Sequence, residues 1–181
     1  MKIRPVDAPA GRRSAPVDLG KAAFSRTSEG SRLSVQTNES GGPIHIEVTV
    51  PDCASLNIHN SNGPVDVSGA LGSVSIRNDS TGEFAHVSVQ THADLVGPVA
   101  VHSAYGDVMI HGGEQSAGAI SSHSPRGTTD VRTAQMRLRA VSYERGFFSG
   151  ILNDGKEPWK FDVANGSVRL TFDRFVAPLV K

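Results

Sequence analysis

Leu56-Asn57-Ile58-His59-Asn60-Ser61-Asn62-Gly63-Pro64-Val65-Asp66-Val67-Ser68-Gly69-Ala70-Leu71-Gly72-Ser73-Val74-Ser75-Ile76 is the stretch on which the fold turns. It holds three apolar-x-apolar triplets, Leu56-x-Ile58, Val65-x-Val67 and Val74-x-Ile76, set nine residues apart. Alternation over three to five residues is the mark of a short strand with one buried face, and the Asn-Gly and Gly residues between triplets suit tight corners. The phrase returns at Val87-x-Val89, Val99-x-Val101, Val108-x-Ile110, Met136-x-Leu138, Phe161-x-Val163 and Val168-x-Leu170. Self-similarity at this period predicts an all-β parallel β-solenoid, a stack of coils in which each short strand pairs with its equivalent one coil away.

Taken in pairs, the triplets give about six coils, beginning near Leu56, Val74, Val99, Ala119, Met136 and Phe161. At the usual strand spacing, such a stack is roughly 25–30 Å tall. Two-sided and three-sided coils both fit the spacing. The competing architecture is a set of antiparallel hairpins, since Asn-Gly between apolar runs is also a hairpin signal. Strands this short hold hairpin register poorly, which favours the solenoid. Helix signals are nearly absent. The stretch from Thr133 to Tyr143 alternates Met136, Leu138 and Ala140 with Gln135, Arg137 and Arg139, so it too reads as a strand.

Outward from the repeat, residues 1–30 carry Pro5, Pro9, Pro16, Gly11 and Gly20 among scattered charges with no apolar period, and a flexible leader is expected there. Residues 31–181 are expected to form one domain. Leu33-x-Val35 and Ile44-x-Ile46-x-Val48-x-Val50 are read as lead-in strands within 33–50, ended by Pro51-Asp52, and residues 168–181 as a C-terminal strand and tail. Met1 to Pro9 includes charges but no apolar run, so no secretory signal peptide is expected in the chain as it stands and a cytoplasmic location stays open. No segment has the ~20 apolar residues of a membrane-spanning helix.

Eighteen basic and eighteen acidic residues cancel across the 181 residues, with no basic block. That removes the electrostatic footprint a phosphate backbone requires, and nucleic acid is not expected as a partner. Cys53 is the single cysteine, so no internal disulfide forms, and no zinc-type Cys/His spacing occurs. No metal or other cofactor is called for by any motif.

Three passages carry the family resemblance: the opening Ile46-Glu47-Val48-Thr49-Val50-Pro51-Asp52-Cys53-Ala54-Ser55-Leu56-Asn57-Ile58, the unit Ser61-Asn62-Gly63-Pro64-Val65-Asp66-Val67, and the closing Val163-Ala164-Asn165-Gly166-Ser167-Val168-Arg169-Leu170. Over about residues 44–172 the chain resembles the putative-adhesin family of bacterial β-solenoid domains, a family of unknown function. The resemblance implies a parallel β-solenoid, cell-envelope or extracellular placement, and no defined catalytic residues. The stretch from 121 to 160 departs from the family's regularity.

Two candidate sites follow from the pattern. His59, His102 and His111 each stand one step past an inward apolar residue. In two-sided coils His59, Arg77 and His102 share one outer face in successive coils, and Ser68, Gln90 and His111 share the other. A His/Arg column could take an anion, a carboxylated sugar or a metal; the plain alternative is a solvated ladder. The stretch from Tyr143 to Trp159 gathers Tyr143, Phe147, Phe148 and Trp159 with Arg145, Lys156 and Glu157, a composition suited to sugar stacking, to a protein contact or to covering the end of the stack. Asp66, Asp94, Asp107 and Asp130 occupy different repeat positions, so no paired carboxylates for acid–base work are expected, and Cys53 reads as a core filler.

The expected function is therefore a non-enzymatic β-solenoid module for adhesion, surface presentation or protein assembly. Its expected partner is a protein or glycan surface, or a second copy meeting it through open solenoid ends. The alternative is a carbohydrate-binding or carbohydrate-active solenoid of the polysaccharide-lyase type. His59, Arg77, His102, Tyr143, Arg145 and Trp159 are the candidate ligand contacts.

Overall fold

The computed structural model describes residues 22–27, 30–35, 53–61, 63–69, 71–82, 85–91, 93–133 and 137–173. The chain divides into two units, Met1–Thr49 and Val50–Lys181. In the first, β1 (Ala22–Thr27) and β2 (Gly30–Val35) form an antiparallel pair with Phe24 opposite Leu33. This strand β1 starts inside the stretch read as a leader. The lead-in strand expected over Ile44 to Val50 lies outside the described residues.

The second unit contains β3 (Cys53–Asn60), β4 (Val65–Ser68), β5 (Leu71–Asn78), β6 (Val87–Gln90), β7 (Val99–Ser103), β8 (Val108–Gly113), β9 (Gly118–His123), β10 (Thr129–Thr133), β11 (Leu138–Glu144), β12 (Phe147–Leu152), β13 (Pro158–Val163) and β14 (Val168–Asp173). No helix occurs among the described residues. Two separate sheets result. The seven-stranded sheet has the order β11-β12-β9-β13-β7-β5-β3 and the five-stranded sheet the order β10-β14-β8-β6-β4. From β3 to β10 the chain alternates strictly between them. Every neighbouring pair in this unit is parallel except β11–β12 and β12–β9.

Two features depart from a stack built in chain order. The strands expected to begin a coil near Met136 instead form the antiparallel hairpin β11–β12; Leu138–Glu144 is a strand as read, while Met136 itself lies outside the described residues. The last two strands, β13 and β14, are then inserted between earlier ones, β13 between β7 and β9 and β14 between β8 and β10. A strand has two edges. With β12 bonded to its far edge, β9 offers only the near one, and β13 occupies it.

The core follows from register. Leu56, Val74, Val99, Trp159 and Ile120 are successive partners across the seven-stranded sheet, and Val65, Val87, Val108 and Val168 across the five-stranded one. Val74, Val87, Val99, Val108, Trp159 and Val168 are all fully buried, as period-2 alternation requires of inward positions. Trp159 is the single tryptophan of the sequence and the bulkiest of the fully buried side chains. At Gly118 a Cβ would lie 2.5 Å from the Trp159 indole, so glycine there makes room for it. Ser122 and Thr129 replace apolar residues in the inward columns and satisfy each other at 2.7 Å, joining the two sheets through hydroxyls rather than leaving either unbonded.

Candidate functional site

The outer face of the seven-stranded sheet carries a continuous polar row. Register places His59 beside Arg77, Arg77 beside His102, His102 beside Asp162 and Asp162 beside His123, across β3, β5, β7, β13 and β9. Parallel neighbours stand ~4.8 Å apart, so side chains at equivalent positions touch. Asp79, just past β5 on the side of Arg77, accepts from His59 Nε2 at 3.0 Å and from Arg77 Nε at 2.9 and 3.1 Å. His102 Nε2 is 3.9 Å from the same carboxylate. Further along, Asp162 bridges His102 Nδ1 and His123 Nδ1, each at 3.3 Å.

The row is thus an alternation of cationic or cation-capable and anionic groups, and electrostatics follow from it. The hydrogen bond from Arg77, then that from His59, holds the Asp79 carboxyl below the usual carboxylate range. The hydrogen bond to Asp79 in turn raises the Arg77 guanidinium further above its ordinary value. On the five-stranded sheet the expected column of Ser68, Gln90 and His111 is in register and continues into Thr171 and Arg132. His111 Nε2 meets Asp173 at 2.7 Å, and His86 Nε2 meets Asp66 at 3.1 Å. All five described histidines therefore face an aspartate from elsewhere in the sequence.

Such a row can bind by contact along its length, but its carboxylates already serve as acceptors for their neighbours. Among the described residues no group of three or more His, Cys, Asp or Glu side chains converges to hold a metal ion. The same residues include no helix long and apolar enough to cross a membrane.

The sequence-predicted residues separate into three fates. His59, Arg77 and His102 come together on one face. Tyr143, near the end of β11, and Arg145, in the β11–β12 turn, lie far along the chain and line a groove with the turn before β10. Trp159 belongs to neither: it is 0% exposed, donates from Nε1 to the Gly97 carbonyl at 3.0 Å, and packs on Phe172 with centroids 5.5 Å apart. Trp159 is thereby corrected from ligand contact to core, because an indole with no free face cannot stack on a sugar. Phe148 is likewise buried, and of the four aromatic residues in that stretch only Tyr143 and Phe147 are exposed.

Asp79, Asp162 and His123 are the row members that sequence reasoning missed. Asp79 was within reach, since a residue two beyond Arg77 projects to the same side of a strand. Asp162 enters the row only because β13 is inserted out of order, whereas His123 lies three residues past Ile120 as His102 lies three past Val99, a spacing the sequence already held. No family model, no curated protein and no solved structure matches the chain.

Proposed function

We propose that the second unit is a non-enzymatic β-solenoid module, of the kind its adhesin resemblance implies, that presents a flat sheet face for adhesion or assembly. Support for the solenoid comes from the strict alternation of β3 to β10 between two sheets with in-register parallel neighbours. One observation carries the functional reading: the outward row from His59 to His123 spans five adjacent strands and is cross-linked by Asp79 and Asp162. Side chains held by their neighbours lose little further freedom on contact, so an extended face of this kind meets another surface at low entropic cost.

The test uses beads coated with the full chain, settled on protein-coated and glycan-coated slides, with light scattering over rising concentration to follow assembly. Adhesion or concentration-dependent growth is expected, and it should fall when His59, Arg77 and His102 are together replaced by serine. A monomer at every concentration that also fails to retain beads on any slide overturns the reading, as does a triple variant that behaves like the parent.

A further inference from the structure

We propose that the groove between the turn at 124–128 and the β11–β12 turn is a binding site for a carboxylated saccharide chain. Pro125, Arg126, Thr128, Tyr143, Glu144 and Arg145 are among the residues that line it, around a volume of about 510 Å³. That is the size range of small-ligand clefts.

The groove is built rather than incidental. Ser124 N–H donates to the Gly146 carbonyl at 2.6 Å, fastening one turn to the other. Gly146 has φ of 75°, and a Cβ on it would lie 2.7 Å from the Ser124 carbonyl oxygen, so only glycine permits this approach. Arg126 Nη1 is steadied by Asn165 Oδ1 at 2.6 Å. The Tyr143 ring stands edge-on to the buried Phe148 ring, centroids 6.2 Å apart at 77°, which sets its plane while 68% of the residue stays exposed.

The chemistry of the lining selects the ligand class. An exposed, propped tyrosine offers a flat face to the C–H side of a pyranose ring. Arg145, which makes no ion pair with the described residues, is a planar donor fork suited to a carboxylate. Glu144 and the exposed Thr128 hydroxyl supply acceptors for sugar hydroxyls. A polyphosphate backbone is disfavoured by the balanced charge of the chain and by the carboxylate of Glu144 in the lining.

None of the lining residues belongs to the polar row, so this site and the adhesive face succeed or fail separately. The test is calorimetric titration of the full chain with oligogalacturonate, with neutral dextran oligomers and polyglutamate as comparisons. Saturable binding of oligogalacturonate is expected, weakened at least tenfold by Arg145→Ala and by Tyr143→Ser, and unaltered by the serine triple variant of the row. Thermal melts of the variants confirm that these exposed substitutions leave the fold intact. No binding of oligogalacturonate overturns the proposal. So does equal binding by both groove variants, or preference for polyglutamate, which would make the groove an acidic-peptide site.

Discussion

Replacing Trp159 with alanine tests the insertion of β13 at its centre. The indole is fully buried between Val99 on β7 and Ile120 on β9, its register partners, and it hydrogen-bonds the Gly97 carbonyl. Emptying a site of this kind removes about 3–5 kcal/mol, and the hydrogen bond is worth about 1 kcal/mol within that loss. A domain of this size has only about 5–15 kcal/mol in total, so the variant should unfold at a markedly lower urea concentration. The informative partner is Gly118. A Cβ there would lie 2.5–2.6 Å from three indole atoms, so Gly118→Ala alone should overpack the core and cost about 1–3 kcal/mol. In the Trp159→Ala background the same methyl enters vacated space, and its penalty should shrink or reverse. Urea titrations of the parent, both single variants and the double variant give the coupling directly. Additive effects within about 0.5 kcal/mol, or a Trp159→Ala loss under about 1 kcal/mol, would refute the placement of the indole against Gly118.

Three further outcomes follow from the same geometry. With Cys53 replaced by serine, cysteines introduced as His102→Cys with Asp162→Cys, or Asp162→Cys with His123→Cys, sit on adjacent parallel strands about 4.8 Å apart and should oxidise to disulfides. The pair His102→Cys with His123→Cys is two strands apart, about 10 Å, and should not; mass spectrometry showing the reverse would mean that β7 and β9 are direct neighbours. Gly106 has φ of +84° and a Cβ there would lie 1.4 Å from the Ala85 carbonyl oxygen, so Gly106→Ala should destabilise by several kcal/mol through backbone displacement, and an unchanged melting temperature would contradict the stacked turns. For Asp79, whose carboxyl is held below its ordinary range, the contribution to stability is present above about pH 4 and is lost as pH falls through the lowered value. The parent should therefore exceed Asp79→Asn in urea midpoint at neutral pH and converge with it on acidification, and a gap that persists in acid would show that the carboxylate is not the cause.

Much of the molecule was legible from periodicity because the cause of the pattern is local. Val74, Ile76, Val99 and Val101 all point inward, with Ser75 and Ala100 pointing outward between them, since pleating sends successive side chains to opposite faces. His59, Arg77 and His102 shared a predicted face for the same reason, and the register confirms their adjacency. The stretch from Tyr143 to Trp159 was not legible, because composition alone cannot separate an exposed aromatic from a buried one. Tyr143 and Trp159 differ in exposure by whether a facing layer covers them, and that is a long-range property.

The amino-acid sequence by itself determined where the short strands fall, the inward columns of Val, Ile and Leu, and the glycine corners. Each depends on residues within a few positions of one another. Only the tertiary structure decided the order of strands, because a parallel lane between β7 and β9 is open to any strand of matching register and its occupant is chosen by which edges the β11–β12 hairpin leaves free. That choice carries Asp162 between His102 and His123, seats Trp159 over Gly118, and leaves the hairpin turn to form a groove with the turn before β10.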